Sequence, residues 1–249
     1  MLGLGLNSLT NAGGRPLQWD PTDKAARLWL TARSQDLTID GSNLVSSWID
    51  RSITGANATQ STETKQPEFH SPSNTVIFTN TGAAAIDDFM LLGTQLTLEP
   101  DNGWVVAANY TSVDWDGSAQ TILGDKDDNN HIVKHDASAA TFSVKASGQS
   151  KTFTLDTPSA LVDGTFYTVI FNCASNGLIT LYIDGVAQAD TETMPSTKDL
   201  YIDTLCGKGN ATTATQTLGG SVKEILVFQV PFRAGDIANL HQFMKRATY

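Results

Sequence analysis

The sequence predicts an all-β chain: a two-sheet antiparallel sandwich of the jelly-roll kind, with one C-terminal helix and an extended N-terminal arm. Three observations carry this. Charged residues make up only 17% of the 249 residues, against roughly 25% in an ordinary globular chain. Small polar residues, Thr above all, replace them, which favours strands. About a dozen short apolar segments follow one another at roughly 8 to 15-residue spacing, the pattern of a sandwich. Only the last stretch repeats its apolar residues at helical spacing. A chain of this length buries enough surface to form a core without disulfides or metals. The composition excludes a coiled coil, a helical bundle and a disordered chain.

Residues 1–20 divide off as an arm and 21–249 as one domain. Leu2, Leu4 and Leu6 alternate with glycine. In an extended chain they would face one side and could add to a neighbour; a frayed tail is the alternative. Residues 26–30 and 44–49 are apolar strands that place Trp29 and Trp48 in a core, with turn-rich and loop-like sequence at 36–43 and 50–64. Residues 75–78 form a strand, and 89–92 and 96–98 read as two strands around a Gly93-Thr94 turn. Residues 103–110 have the composition of a strand buried on both faces. Strand-like stretches follow at 121–124, 131–135, 141–146 and 151–155. The strands 166–171 and 178–183 are clear, and Asp184-Gly185 after the second is the strongest short hairpin signal. After a buried strand at 222–228, Ile237, Leu240, His241, Met244 and Ala247 define one helix face. Asp236 in the first turn and Lys245 and Arg246 in the last suit the helix dipole. That stripe either caps an open face of the sandwich or binds a partner.

The net charge of −10 comes with no cluster of Lys and Arg, so nucleic acid is excluded as a direct partner. Acidity also opposes an anionic membrane surface and suits weak cation binding. No apolar run approaches the roughly 18 residues of a membrane span, and residues 1–7 do not read as a secretion signal. Cys173 and Cys206 could form one bridge; two buried thiols fit better, because free Cys is among the most buried residue types.

Glycoside hydrolysis needs two carboxylates facing one sugar bond. The five glutamates, Glu63, Glu68, Glu99, Glu192 and Glu224, form no such pair. Asp114 and Asp116 would share a face of a strand, but Gly117-Ser118 follow and make a surface turn the better reading. His70, His131, His135 and His241 form no zinc motif with each other or with the cysteines. No enzyme is expected, and no cofactor is required. Calcium is the one candidate cation. Asp125, Asp127 and Asn129 place oxygen ligands at alternate positions, and Asp136 is twelfth from Asp125. An EF-hand loop has that spacing, though Asn130 stands where glycine is expected, Asp136 replaces glutamate, and no helices flank it. An acidic connector between strands is the alternative. Among the aromatics near loop boundaries, Trp104, Tyr110 and Trp115, the last has the best claim to exposure. Flanked by Asp114 and Asp116, it is the candidate platform for a sugar ring, though partial burial at a sheet edge is the better reading.

The ordered set of segments resembles the concanavalin A-like jelly-roll superfamily, in its LamG or pentraxin-like branch. The resemblance runs through Leu28-Trp29-Leu30-Thr31-Ala32, Trp48-Ile49-Asp50-Arg51-Ser52, Gln66-Pro67, Tyr182-Ile183-Asp184-Gly185 and the Gly219–Phe228 strand before the helix. Thr31 departs from it, since aspartate is frequent there. The whole chain, a Leu/Gly-rich start joined to such a jelly roll, also resembles small bacteriophage virion proteins. These resemblances imply a non-enzymatic virion subunit, a capsid decoration or tail component. Other virion proteins and copies of itself would be its partners, held by the arm and by jelly-roll contacts. The alternative they imply is a lectin-like module for host or extracellular glycan, with calcium as an optional aid.

Overall fold

The computed structural model describes residues 19–83, 86–127, 129–209 and 214–246. The expected arm, with Leu2, Leu4 and Leu6, lies outside the described residues, as does Ala247. The strands, in chain order, are β1 (Leu28–Thr31), β2 (Leu37–Ile39), β3 (Val45–Trp48), β4 (Ala58–Thr59), β5 (Glu68–His70), β6 (Thr75–Phe78), β7 (Met90–Leu98), β8 (Trp104–Ser112), β9 (Gln120–Gly124) and β10 (His131–His135). They continue as β11 (Thr141–Ala146), β12 (Gln149–Thr154), β13 (Tyr167–Cys173), β14 (Leu178–Ile183), β15 (Val186–Thr193), β16 (Leu200–Leu205), β17 (Lys208–Gly209), β18 (Ala214–Thr215) and β19 (Gly220–Phe228), and α1 spans Ala234–Lys245. No helix among the described residues is long and apolar enough to cross a membrane.

Two antiparallel sheets form the sandwich. One has eight strands, in the order β15-β14-β13-β8-β19-β6-β5, with β1 also paired to β19; the other has nine, in the order β12-β11-β10-β9-β16-β7-β4-β3-β2. Leu28, Leu30, Phe78, Trp104, Val106 and Phe171 from the first meet Trp48, Leu96, Ile122, Phe142 and Phe153 from the second in one apolar core. The edge strands β12 and β15 are tied across the gap. Lys151 pairs with Glu192 at 3.0 Å, and Thr154 N donates to Asp190 Oδ2 at 2.8 Å. These contacts help cover edges that would otherwise invite pairing with another chain.

A second apolar cluster lies on the outer face of the eight-stranded sheet. Trp29, Val105, Ala107, Ile170, Leu226 and Phe228 meet Phe232, Ile237, Leu240 and Met244 from α1 and the segment before it. This explains why β8 is buried along its whole length: alternate residues face two different cores. Trp19 closes the layer edge-on against Phe228, Phe232 and Phe243. The helix thus takes the capping role, with Ile237, Leu240, His241 and Met244 buried. The Asp184-Gly185 hairpin also forms, with φ of 49° and 81°, as the primed turns of two-residue hairpins require. Cys173 and Cys206 are free, buried thiols.

One expected turn is absent. Gly93-Thr94 does not reverse the chain, because β7 runs straight through from Met90 to Leu98. The extra residues are absorbed in a bulge: on β16, Ile202 pairs with Leu96 and Thr204 with Leu91. A bulge bends a strand outward without ending it, and here it exposes Gly93, Thr94 and Gln95.

Candidate functional site

Outside the nine-stranded sheet lies a groove of about 490 Å³, lined by Gln95, Asp125, Asp127, Asn129, Asn130, Ser147 and Tyr201. Four separate pieces of chain build it. The β7 bulge delivers Gln95, the β9–β10 loop the Asp and Asn residues, the β11–β12 turn Ser147, and β16 Tyr201. Hydrogen bonds fix the loop. Asp125 Oδ1 accepts from Asn129 N at 2.9 Å and Asn130 N at 3.1 Å, and its Oδ2 accepts from Asn130 Nδ2 at 2.6 Å. Asn130 Oδ1 in turn accepts from Ser147 N at 2.8 Å, and Gly148 N donates to Asn129 O at 3.0 Å. On the far wall Gln95 Nε2 donates to Asp203 Oδ2 at 3.3 Å, and Tyr201 Oη donates to Asp199 Oδ2 at 3.4 Å. The wall is therefore rigid, while the exposed Asp127 and Asn129 and the half-buried Tyr201 offer planar polar groups beside an aromatic ring. Such a set can bond neighbouring hydroxyls and pack one apolar ring face.

The expected calcium set does not assemble here. Asp125, Asp127 and Asn129 do line one groove. Asp136, however, lies beyond the far end of β10, a strand roughly 13 Å long at 3.3 Å per residue, and pairs with Lys134. Ligands of one calcium ion lie only about 2.3 to 2.6 Å from it, so Asp136 and Asp125 cannot share one. Both oxygens of Asp125 are also spent on the loop's own N–H groups.

Trp115 is likewise not a sugar platform. It is 0% exposed and packs among Tyr110, His135, Phe142 and Tyr167, with the His135 ring 4.8 Å away. Its Nε1 donates to Val162 O at 3.1 Å and its backbone N to Asp163 Oδ1 at 2.8 Å. The two flanking carboxylates turn outward without it. Asp114 and Asp116 meet Asp163, one oxygen from each lying within 4.8 Å of the others. Asp114 Oδ1 accepts from Gly117 N at 2.8 Å, the surface turn expected there. A Cβ on Gly117 would sit 1.8 Å from Asp114 Oδ2, so a larger residue there would push the Asp114 carboxylate aside. Trp104 and Tyr110 are buried as well.

The β10 histidines are interior groups rather than ligands. Burial pulls His131 down to about 3 and His135 to about 4, so both stay neutral at physiological pH. His131 Nε2 bonds with Ser143 Oγ at 3.2 Å.

Sequence reasoning missed Gln95, Asn130, Ser147 and Tyr201 as parts of the site. For Gln95 the signal was Gly93, misread as a turn. Ser147-Gly148 has the look of a hairpin corner, with φ of 45° and 81°. Tyr201 gives no local signal.

The family model described as the concanavalin A-like lectin/glucanases superfamily matches residues 78–238, more than half of the 249. No curated protein matches the chain in sequence. Among solved structures, the binding domain of botulinum neurotoxin serotype D/C is 13% identical with a TM-score of 0.59, covering 91% of this chain and 54% of that one. The serotype G binding domain is 11% identical with a TM-score of 0.62, covering 89% and 51%. A Trypanosoma rangeli sialidase is 11% identical with a TM-score of 0.58, covering 96% and 35%. The chain thus spans about half the length of the neurotoxin domains and about a third of the sialidase. At such identities the likeness is one of fold. One of the neurotoxin structures is a complex with SialylT and another a complex with rat synaptotagmin II. On the strength of the family match, joined to the sandwich described above, the chain belongs to the concanavalin A-like lectin/glucanases superfamily.

Proposed function

We propose that the protein is a non-enzymatic glycan-binding module that takes a sugar in the groove between the β9–β10 loop and Tyr201. The groove itself carries the reading: it sets Asp127, Asn129 and Gln95 around one aromatic ring. Recognition of this kind uses an apolar ring face plus a few placed polar groups. Binding rather than cleavage is favoured because Asp125 is buried and held by three hydrogen bonds from its own loop, which leaves Asp127 as the one exposed carboxylate among the described residues lining the groove. Calcium plays no part in this binding. The use of the same fold by a neurotoxin domain solved with SialylT is consistent with it. The test is a broad glycan array probed with the wild-type protein and with Tyr201→Ala. Binding that Tyr201→Ala weakens about tenfold supports the reading; an array with no wild-type signal overturns it.

The setting we propose is a virion, where the module would face outward as a decoration or tail-associated subunit. The alternating leucines of residues 1–20 motivate this. Particle incorporation unchanged by deletion of residues 1–20 would sink the arm's part in it, and absence of immunogold label on every particle would sink the setting.

A further inference from the structure

A side chain under the helix carries an inference independent of the glycan reading. Glu224 is fully buried, and a bulge puts it there. Val222 pairs with Tyr110 and Glu224 with Asn109, so Lys223 has no residue opposite it. Were Lys223 paired in a regular ladder, Glu224 would share the face of Val222 and point into the main core, because facing alternates along a strand. Instead it lies on the outer face, where its Oε1 accepts from Trp29 Nε1 at 2.8 Å. Among the described residues its Oε2 has no partner. The cross-strand residue Asn109 is in a similar state. Asn109 Nδ2 donates to Met244 O in the last turn of α1 at 3.4 Å, and among the described residues Asn109 Oδ1 has no partner. Directly opposed antiparallel residues have Cα atoms only about 4.5 to 5.5 Å apart, so these two orphan oxygens belong to neighbouring side chains on one face. Two acceptors cannot satisfy each other, and leaving both unmet under a helix is costly. One proton resolves it.

We propose that Glu224, Asn109 and the Met244 carbonyl form a proton-gated latch for the C-terminal helix. With Glu224 protonated, its Oε2–H donates to Asn109 Oδ1, and the amide keeps its N–H on Met244. With Glu224 ionised, the Asn109 amide turns to give its N–H to the carboxylate, and Met244 O loses its donor from the sheet. Within the described helix Met244 O is reached by the Arg246 N–H, which is shared with Gln242 O and Phe243 O, so the Asn109 donor adds a cap to the helix end.

Burial pushes the Glu224 carboxyl up to about 8, against the opposing effects of the Trp29 hydrogen bond, Arg33 and Arg51. Arg51, on the segment after β3, is held by Asp36 at 3.1 Å and lies over the Trp29 ring at 4.8 Å. Arg33 comes from the segment after β1. Lys223, in the bulge, turns to the Phe166 ring at 4.1 Å. On α1 itself, Asp236 pairs with Lys24 at the other end, His241 packs against Gly185, and Lys245 and Arg246 are exposed in the last turn.

The experiment follows the Glu224 carboxyl by carbon NMR and amide-exchange protection of residues 242–246 from pH 6 to 10, on the full chain. Glu224 is expected to titrate near 8. Protection in the last helical turn should fall about fivefold in step with it, the change that one hydrogen bond of about 1 kcal/mol makes in an opening equilibrium. Glu224→Gln keeps a neutral donor and acceptor of the same shape and should hold protection flat. Titration near 4.5, protection unmoved through the titration, or a wild-type fall persisting in Glu224→Gln would each overturn the latch. Should the variant fail to fold, the two wild-type readouts decide alone. Glycan binding is read on the opposite sheet, so its failure is separate from this one.

Discussion

The outer faces of the two sheets are built from opposite materials. Over the eight-stranded sheet lie Trp29, Val105, Ile170, Leu226 and Phe228, roofed by α1. Over the nine-stranded sheet lie Ser143, His131, Lys134 and Asp203, bonded to one another and to neighbours such as Asp136, Lys126 and Gln95. The first face is a second core and contributes stability. The second is a hydrogen-bonded surface whose bulge and loops are free to make a groove. The difference leaves the sheet that is not needed to hold the helix as the one that carries the proposed glycan site.

The sharpest way to break that contrast is to cut side chains from each region. Phe228→Ala, and Trp115→Ala in the main core, should each cost about 3 to 5 kcal/mol in urea unfolding. Asp127→Ala and Tyr201→Ala on the groove should stay within about 1 kcal/mol. A near-neutral Phe228→Ala would mean that the helix layer is no core.

The two sheets should also fail at opposite ends of the pH scale. His131 and His135 are neutral in the fold and protonate at 6.5 when unfolded. They stabilise the fold above pH 6.5, and that stability drains as pH falls toward 4 and 3, by about 1.4 kcal/mol per pH unit per histidine. Glu224 has the reverse sign. Its folded value is raised from 4.5 to about 8, so its contribution is full below pH 4.5 and lost as pH rises through 8. Urea midpoints measured from pH 4 to 9 should fall on both sides. His135→Gln should soften the acid limb alone and Glu224→Gln the alkaline limb alone; a swap of the two effects would break the assignment.

Smaller effects concern the groove. Tyr201→Ala should weaken glycan binding about tenfold, the worth of one aromatic contact of about 1.4 kcal/mol. Trp115→Leu, if folded, should leave binding unchanged because Trp115 is interior. A chelator should leave affinity where it was, since Asp125 is buried and bonded to its own loop and Asp136 is distant; a large loss on chelation would return calcium to the groove.

Much of the fold was legible because it rests on local patterns. The two-core burial of β8 was visible in Trp104-Val105-Val106-Ala107-Ala108, the hairpin in Asp184-Gly185, and the helix in the spacing of Ile237, Leu240 and Met244. The site was legible only in fragments. Asp125, Asp127 and Asn129 stood out as a cluster of oxygen donors and do line the groove. Trp115 looked exposed because its neighbours are Asp114 and Asp116, yet charge beside an aromatic says nothing about which way the ring turns. Its backbone bond to Asp163 and its packing on Tyr110 and Tyr167 involve residues far along the chain.

The sequence by itself determined the strand periodicity, the sandwich and the C-terminal helix, since each follows from burial preferences over a few neighbouring residues; the tertiary structure decided that the helix caps a sheet and that the two thiols stay unpaired. Only the tertiary structure decided which side chains face outward together. The bulge at Lys223 on β19 shifts the facing of everything beyond it, while the one at Gly93–Gln95 on β7 lifts that stretch out to solvent and leaves the facing unchanged, since Met90, Leu92, Leu96 and Leu98 all reach the main core. A bulge is a mismatch between two strands, so neither strand's sequence contains it. One of them puts Gln95 at the rim of the groove, and the other turns Glu224 from the main core to the underside of the helix.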